Sequence, residues 1–266
     1  MKAIIMLCAL ALTSWCQAAE LENQAIFEQA NQMFDQANAQ ALVNPAKARD
    51  LYQSAILKYQ FLIEQRGLAT ADLHNNLGNA YFSAGDQGRA VLNYQRALNL
   101  DPLHQDVLHN LRYVRSLTID ELPVTRGQRV RDALSFWHRW PFALRATFFG
   151  VAHAAFWGLV GLSFYRRGRL LYGSMAATAA LSVVFGLSLL ASQLRWDNPV
   201  DGVVVEREVI ARQGNGFIYD NAFTSALHAG TEFSMIERRG EWYYAKLLNG
   251  DTCWLPANSV AVVTED

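Results

Sequence analysis

Two apolar runs, set almost end to end, restrict this chain more than any other stretch. Thr147 to Tyr165 is nineteen residues with no charged side chain apart from the titratable His153. Leu170 to Ser192 is twenty-three residues with none. A hydrocarbon core about 30 Å thick is crossed by about twenty helical residues rising 1.5 Å each, so either run is long enough to span a bilayer. Only Arg166-Arg167-Gly168-Arg169 separates them. Lipid cannot satisfy a bare N–H or C=O, so the expected form is a tight transmembrane helical hairpin over 147–192. A pair of buried helices in a soluble bundle is the competing reading. The length of both runs favours membrane. So do Trp140, Trp157, Tyr165, Tyr172 and Trp196 near their ends, because such rings settle at headgroup level. A hairpin returns the chain to the side it left, so the residues before 141 share a compartment with those after 196.

The start of the chain says which side. Residues 1–19 read as a secretory signal: Lys2, the apolar Ala3–Leu12, then small Ala18 and Ala19. Trp15 stands before Cys16 where lipidation needs a small residue, so lipidation is disfavoured. Both polar ends are then expected outside the cytoplasm. The arginines of the short loop agree with the positive-inside rule. Arg126, Arg129, Arg131, Arg139 and Arg145 precede the first span and do not; on this topology they face lipid phosphates or acidic partner groups. Removal of the signal leaves Cys253 as the one cysteine, so no internal disulfide forms. A formal net charge of −1 gives no broad nucleic-acid footprint.

Residues 20–117 read as a repetitive helical region. Ala71–His104, ADLHNNLGNAYFSAGDQGRAVLNYQRALNLDPLH, is 34 residues long and resembles a tetratricopeptide repeat. Gly78 and Ala90 are small where two helices must approach, Tyr81 and Tyr94 fill the space beside them, and Pro102 cannot continue a helix. His74 departs from the pattern, which usually has a large apolar residue there. Ala48, Tyr52 and Ala55 precede Ala90, Tyr94 and Ala97 by 42 residues each, so an earlier second helix repeats. Its partner is expected over Glu22–Gln40, with a turn at Asn44-Pro45. Val107, Leu108, Leu111 and Val114 form a closing amphipathic helix. The resemblance implies a peptide-binding concave face carrying Asp72, Asn75, Asn79, Phe82 and Ser83. Asn79 and Asn110 occupy positions where peptide-clamping members carry asparagine, whose amide can hold a peptide backbone without reading its sequence. Asn75 and Asp106 replace the basic residues of a carboxylate clamp. Helix-capping or solvent-facing asparagines are the plainer alternative.

Residues 118–146 are expected as a basic linker, broken at Pro123 and Gly127, in which Arg129–Trp140 lies on the headgroups with Phe136, Trp137 and Trp140 inward. From Val203 the hydrophobic period changes to two. EFSMIERR runs to Gly240, WYYAKLL follows, then Asn249-Gly250 and DTCWLP. Asn-Gly between apolar runs signals a hairpin, and short strands at this spacing describe a small all-β barrel over 200–264. EWYYAKLLNGDTCWLPANSVAVV resembles the end of a bacterial SH3-like fold. Trp242 stands at the groove tryptophan and Pro256 in the turn before the last strand; Ser259 replaces the groove tyrosine. Trp254 is read as core.

No catalytic or metal-binding pattern and no cofactor motif is evident. The histidines lack ligand spacing, and Gly214-Asn215-Gly216 lacks the lysine and the strand-to-helix setting of a phosphate loop. His153 enters the first span as a tolerated imidazole or a functional one.

Signal, repeats, two spans with an arginine turn, and an SH3-like module make a multidomain membrane protein. Together with the C-terminal text VIARQGNGFIYDNAFTSALHAGTEFSMIERRGEWYYAKLLNGDTCWLPANSV, this order is similar to the BatE type of the Bacteroides aerotolerance (Bat) proteins. The resemblance implies a bacterial inner-membrane protein acting beside von Willebrand A-type membrane proteins, other Bat-type components and a MoxR-type ATPase; the signal and the hairpin then place both soluble domains in the periplasm. The expected function is a non-catalytic envelope adaptor anchored in the lipid bilayer. A cell-wall receptor, with the SH3-like module on peptidoglycan stem peptides, is the alternative.

Overall fold

The computed structural model describes residues 2–120, 140, 142–193 and 200–264. Most of the expected amphipathic segment, with Phe136 and Trp137, lies outside the described residues. So do Pro123, Gly127, Arg126, Arg129, Arg131, Arg139 and Trp196. The described residues form seven α-helices and two sheets, and they fall into two compact units.

The first unit starts with five helices: α1 (Lys2–Gln40), α2 (Pro45–Glu64), α3 (Ala71–Ser83), α4 (Gln87–Leu100) and α5 (Gln105–Arg115). Polar side chains cap four of them. Asn44 accepts from the Lys47 N–H, Thr70 from Leu73, Asp86 from Arg89, and the His104 ring from Val107, each satisfying an amide that the helix start leaves bare. Pro45 occupies the first turn of α2, where a missing N–H costs nothing. Gly85, at φ +89°, makes the left-handed turn between α3 and α4.

Successive helices pack as antiparallel pairs, and the two pairs repeat one contact. The Tyr52 hydroxyl donates to Asn38 Oδ1 at 2.7 Å, and the Tyr94 hydroxyl donates to Asn79 Oδ1 at 2.7 Å. Ala37 and Gly78 sit one residue before those asparagines. A Cβ on Gly78 would lie 2.7 Å from the Tyr94 ring, so glycine lets α3 and α4 close over a fully buried tyrosine.

The same unit continues with β1 (Gly202–Val204), β2 (Glu208–Val209), β3 (Leu227–His228), β4 (Glu232–Arg239), β5 (Trp242–Leu247), β6 (Thr252–Pro256) and β7 (Val260–Val262). Five of these form an antiparallel sheet in the order β6-β5-β4-β1-β7, and β2 pairs with β3. Asn249-Gly250 turns β5 into β6, with Gly250 at φ +95°. Phe233, Ala245, Leu247, Cys253 and Leu255 alternate onto the buried face.

The expected closed barrel is instead an open sheet with β6 and β7 as edges. The strands that could close it, β2 and β3, are two residues each. On the β6 edge a bridge forms where Arg212 and Trp254 exchange backbone hydrogen bonds of 2.9 and 2.8 Å.

Helices and sheet share a hydrophobic core. Val203 and Val263 join the cluster that holds Ala30, Tyr59, Leu77, Tyr94 and Val114. A Cβ on Gly88 would lie 2.8 Å from the Val204 carbonyl, so the first turn of α4 meets β1 backbone to helix. Polar groups complete the junction. Glu232, its side chain 2% exposed, accepts from Gln95 Nε2 at 2.8 Å and from Nε and Nη2 of Arg115, the closest at 2.7 Å. Arg96 donates to the carbonyls of Val262 and Val263. Asp120 accepts from the His228 N–H, the His228 ring and the Thr231 hydroxyl.

The second unit contains α6 (Phe142–Ser163) and α7 (Arg169–Gln193), and both are long and apolar enough to cross a membrane. Arg145, Phe149, Ala152 and Phe156 on α6 fall at helical spacing on the less exposed side, as do Ser174, Thr178, Ser182 and Phe185 on α7. The helix begins five residues before the expected span. Arg145, which the sequence places in the linker, is 2% exposed, and its Nη1 donates to Ser188 Oγ at 2.9 Å. That cation also meets the backbone carbonyl of Ser188 at 3.4 Å.

Candidate functional site

Asp72, Asn75, Asn79 and Phe82 follow one another at intervals of three, four and three residues, which places them on one face of α3. Helix α5 lies against that face. Asn110 Nδ2 donates to Asn75 Oδ1 at 3.1 Å and to Asn79 Oδ1 at 3.0 Å. Asp72, at the exposed N-terminal end, meets His104 Nε2 at 2.9 Å. Phe82, at the other end, packs edge-on against Tyr113 with centroids 5.7 Å apart. Asp72, Asn75, Asn79, Phe82 and Asn110 therefore line one strip, bordered by α5, while Ser83, the sixth sequence candidate, is the exposed last residue of α3.

The amides are partly committed. Asn79 Oδ1 accepts from both Tyr94 and Asn110, which fills its two lone pairs. Among the described residues, no hydrogen bond is made by Asn79 Nδ2 or Asn110 Oδ1. One is a donor and the other an acceptor, the pair that an extended peptide unit needs. Burial pushes the Tyr94 hydroxyl well above the usual phenol range, so it remains a protonated donor to Asn79. Three contributors are not apparent from spacing alone: Tyr94 as the support of Asn79, His104 as the partner of Asp72, and Tyr113 as the wall behind Phe82. The repeat pattern names Tyr94 only as a space filler, and His104 carries no signal beyond its place before α5.

Behind α3 lies a cavity of about 540 Å³, bounded by α2, α4 and the end of β7. His74 lines it, buried, with Nδ1 3.1 Å from Asn93 Oδ1. Asn93 Nδ2 donates in turn to the Arg89 carbonyl. Burial lowers the His74 imidazole below its ordinary value, outweighing the Asn93 hydrogen bond. The polar residue at an apolar repeat position is thus a neutral, hydrogen-bonded core histidine.

In the sheet, Trp242 and Pro256 are cross-strand partners, and both are buried. Trp242 is 8% exposed, and the Phe217 ring lies across it at 4.9 Å and 67°. Trp254 stacks on Tyr244 at 5.0 Å beneath the Arg239 guanidinium. Ser259, where a groove tyrosine is expected, is buried, and its carbonyl accepts from Val205 and Glu206. The Cys253 thiol is buried, and burial pushes it up to about 12, which keeps it from the nucleophilic thiolate form.

In the second unit, the Trp157 indole donates to His153 Nε2 at 3.1 Å, and His153 Nδ1 lies 3.2 Å from Ser182 Oγ. His153 joins the two helices by hydrogen bonding. Among the described residues, no three His, Cys, Asp or Glu side chains converge to hold a metal ion. A comparison with protein-family models gives no match, and a comparison with curated proteins gives none.

Proposed function

We propose that this chain is a non-catalytic, membrane-anchored envelope adaptor that holds an extended segment of a partner protein along α3 and α5. The convergence of Asn75, Asn79 and Asn110 on one strip carries the reading. Among the described residues it leaves one amide donor, Asn79 Nδ2, and one acceptor, Asn110 Oδ1, without a hydrogen bond on the strip between Asp72 and Phe82. On this reading α1–α4 are two tetratricopeptide repeats, α5 is their closing helix, and the sheet is an SH3-like module. The Arg115–Glu232 contact then gives that module a second role, holding α5 against the strip.

The α6–α7 pair spans the bilayer. Helices and sheet share one core, so the chain must leave and return on one side, as a two-span hairpin does. With the signal sequence, that side is the periplasm of a bacterial inner membrane. The order of parts fits a BatE-type protein of the Bat family, and the partners proposed are the exposed domains of von Willebrand A-type membrane proteins. A wall receptor acting through Trp242 and Pro256 has against it the burial of both side chains and the Phe217 ring across Trp242.

The test is cross-linking in intact cells followed by identification of what is retained on the purified full-length chain. Membrane proteins with soluble domains are expected, lost from the Asn79→Ala/Asn110→Ala variant and kept by Trp242→Ala. Capture that survives the asparagine pair and disappears with Trp242→Ala overturns the proposal.

A further inference from the structure

The loop between Arg212 and Asn221 carries an apolar tip on a hydrogen-bonded base. Phe217 is 72% exposed and Ile218 93%, yet the base is closed. The Gln213 N–H donates to the Asp220 carbonyl, Arg212 donates to Tyr219 O and Asn221 Oδ1, and the Tyr219 ring lies flat on Gly214, where a Cβ would come within 2.6 Å. The apolar exposure is therefore built into the fold. No charged residue occurs from Gln213 to Tyr219.

Strand register shows which end of the sheet carries this tip. Gly202 pairs with Phe233, and the Asp201 carboxylate accepts from the Met235 N–H. Followed backwards from β1, the chain thus points along β4 towards Arg239. Trp242 pairs with Arg239 at that end, and Phe217 rests on Trp242. Met235 and Ile236, both exposed, lie on the same stretch. Only six residues connect Gln193 at the end of α7 to Val200, a connection that reaches about 25 Å when fully extended.

We propose, resting on the membrane-anchored reading above, that Phe217 and Ile218 insert into the interfacial layer of the bilayer from which the chain emerges. The occupant is lipid at the depth of the headgroups and first methylenes, where aromatic and aliphatic tips are accommodated. Charges around the tip are mixed and give no basic excess: Arg212, Arg238 and Arg239 stand beside Asp201, Asp220, Glu237 and Glu241, with Arg239 held by Glu237. The contact therefore depends on apolar insertion and forms on zwitterionic lipid.

The experiment uses the full chain in phosphatidylcholine vesicles, with Cys8 and Cys16 replaced by serine and Cys253 left in place because it is buried. An environment-sensitive fluorophore is attached at Ile218→Cys, Lys246→Cys or Leu181→Cys in separate samples. Lys246 is exposed on β5, and Leu181 is exposed on α7. The expected result is emission at 218 shifted to shorter wavelength than at 246, quenched by lipid carrying a shallow spin label and protected from aqueous iodide. Emission and iodide quenching at 218 equal to those at 246, with 181 still lipid-quenched, overturn the insertion and leave the anchor intact. Protection from iodide without lipid quenching also overturns it, because protein then covers the tip. Iodide access at both 181 and 218 overturns the anchored reading itself.

Discussion

Replacing Arg115 with alanine tests how helices and sheet are joined. The Glu232 carboxylate is 2% exposed, while Arg115 is 42% exposed. Removing the guanidinium leaves a buried carboxylate with Gln95 as its remaining side-chain donor. Breaking a buried pair from one side costs about 3–5 kcal/mol. Partial solvation of Arg115 screens part of that, and the surviving Gln95 bond offsets more, so about 2–3 kcal/mol is expected. For a unit of this size that lowers the melting temperature by about 5–10 °C. The assay is thermal unfolding of the full chain in detergent, followed by Trp242 and Trp254 fluorescence, with hydrogen exchange read on α5 and β4. Exchange should quicken in α5 and in the first residues of β4 together. The double variant Arg115→Met/Glu232→Leu should recover most of the loss, because well-packed apolar replacements of an ion pair are often neutral or stabilising. A loss under about 0.5 kcal/mol for Arg115→Ala, typical of an exposed surface pair, would refute the reasoning. So would a double variant no better than the single one.

Two further outcomes follow from the same junction. Gly88→Ala places a Cβ 2.8 Å from the Val204 carbonyl, which is backbone and cannot swing aside; about 1–3 kcal/mol of destabilisation is expected, read by urea unfolding. Burial works against the Asp120 charge, but hydrogen bonds from Thr231, the His228 N–H and the His228 ring outweigh it and hold the carboxyl below its ordinary value. Its contribution to stability is therefore complete above about pH 4 and is lost as pH falls through the depressed value. Asp120→Asn should flatten the acid limb of the urea midpoint between about pH 2 and 5.

Much of the helical region can be read directly from the residues. The 42-residue recurrence of Ala-Tyr-Ala, the Asn44-Pro45 start and the glycine at 78 each carry a local rule that survives folding. Strand limits are equally plain where alternation is strong, as in Trp242–Leu247. Closure of the sheet is not, because edge pairing depends on how long β2 and β3 persist, and two-residue strands leave no periodic trace. The docking of sheet on helices is invisible for a different reason. Glu232 looks like the solvent-facing start of a strand until Arg115, 117 residues away, is brought against it. Arg145 misleads in the same way: a charge beside an apolar run reads as linker until Ser188 supplies its partner. The asparagine strip could be read as a face, but its hydrogen bonds to Tyr94 and across to Asn110 could not.

The shared core also sets an order of events during synthesis. Val203 and Val263 complete a cluster whose other members are all made by residue 114. Residues 101–201, one hundred and one in all, follow α4 before the first sheet residue appears. At about 5–20 residues per second, α4 stands with its sheet-facing side uncovered for about 5–20 s. During that interval Gln95, Arg96 and Val91 are open to whatever else the compartment offers, so a chaperone that shields the second-helix face would act in that window and be displaced by the strands when they arrive.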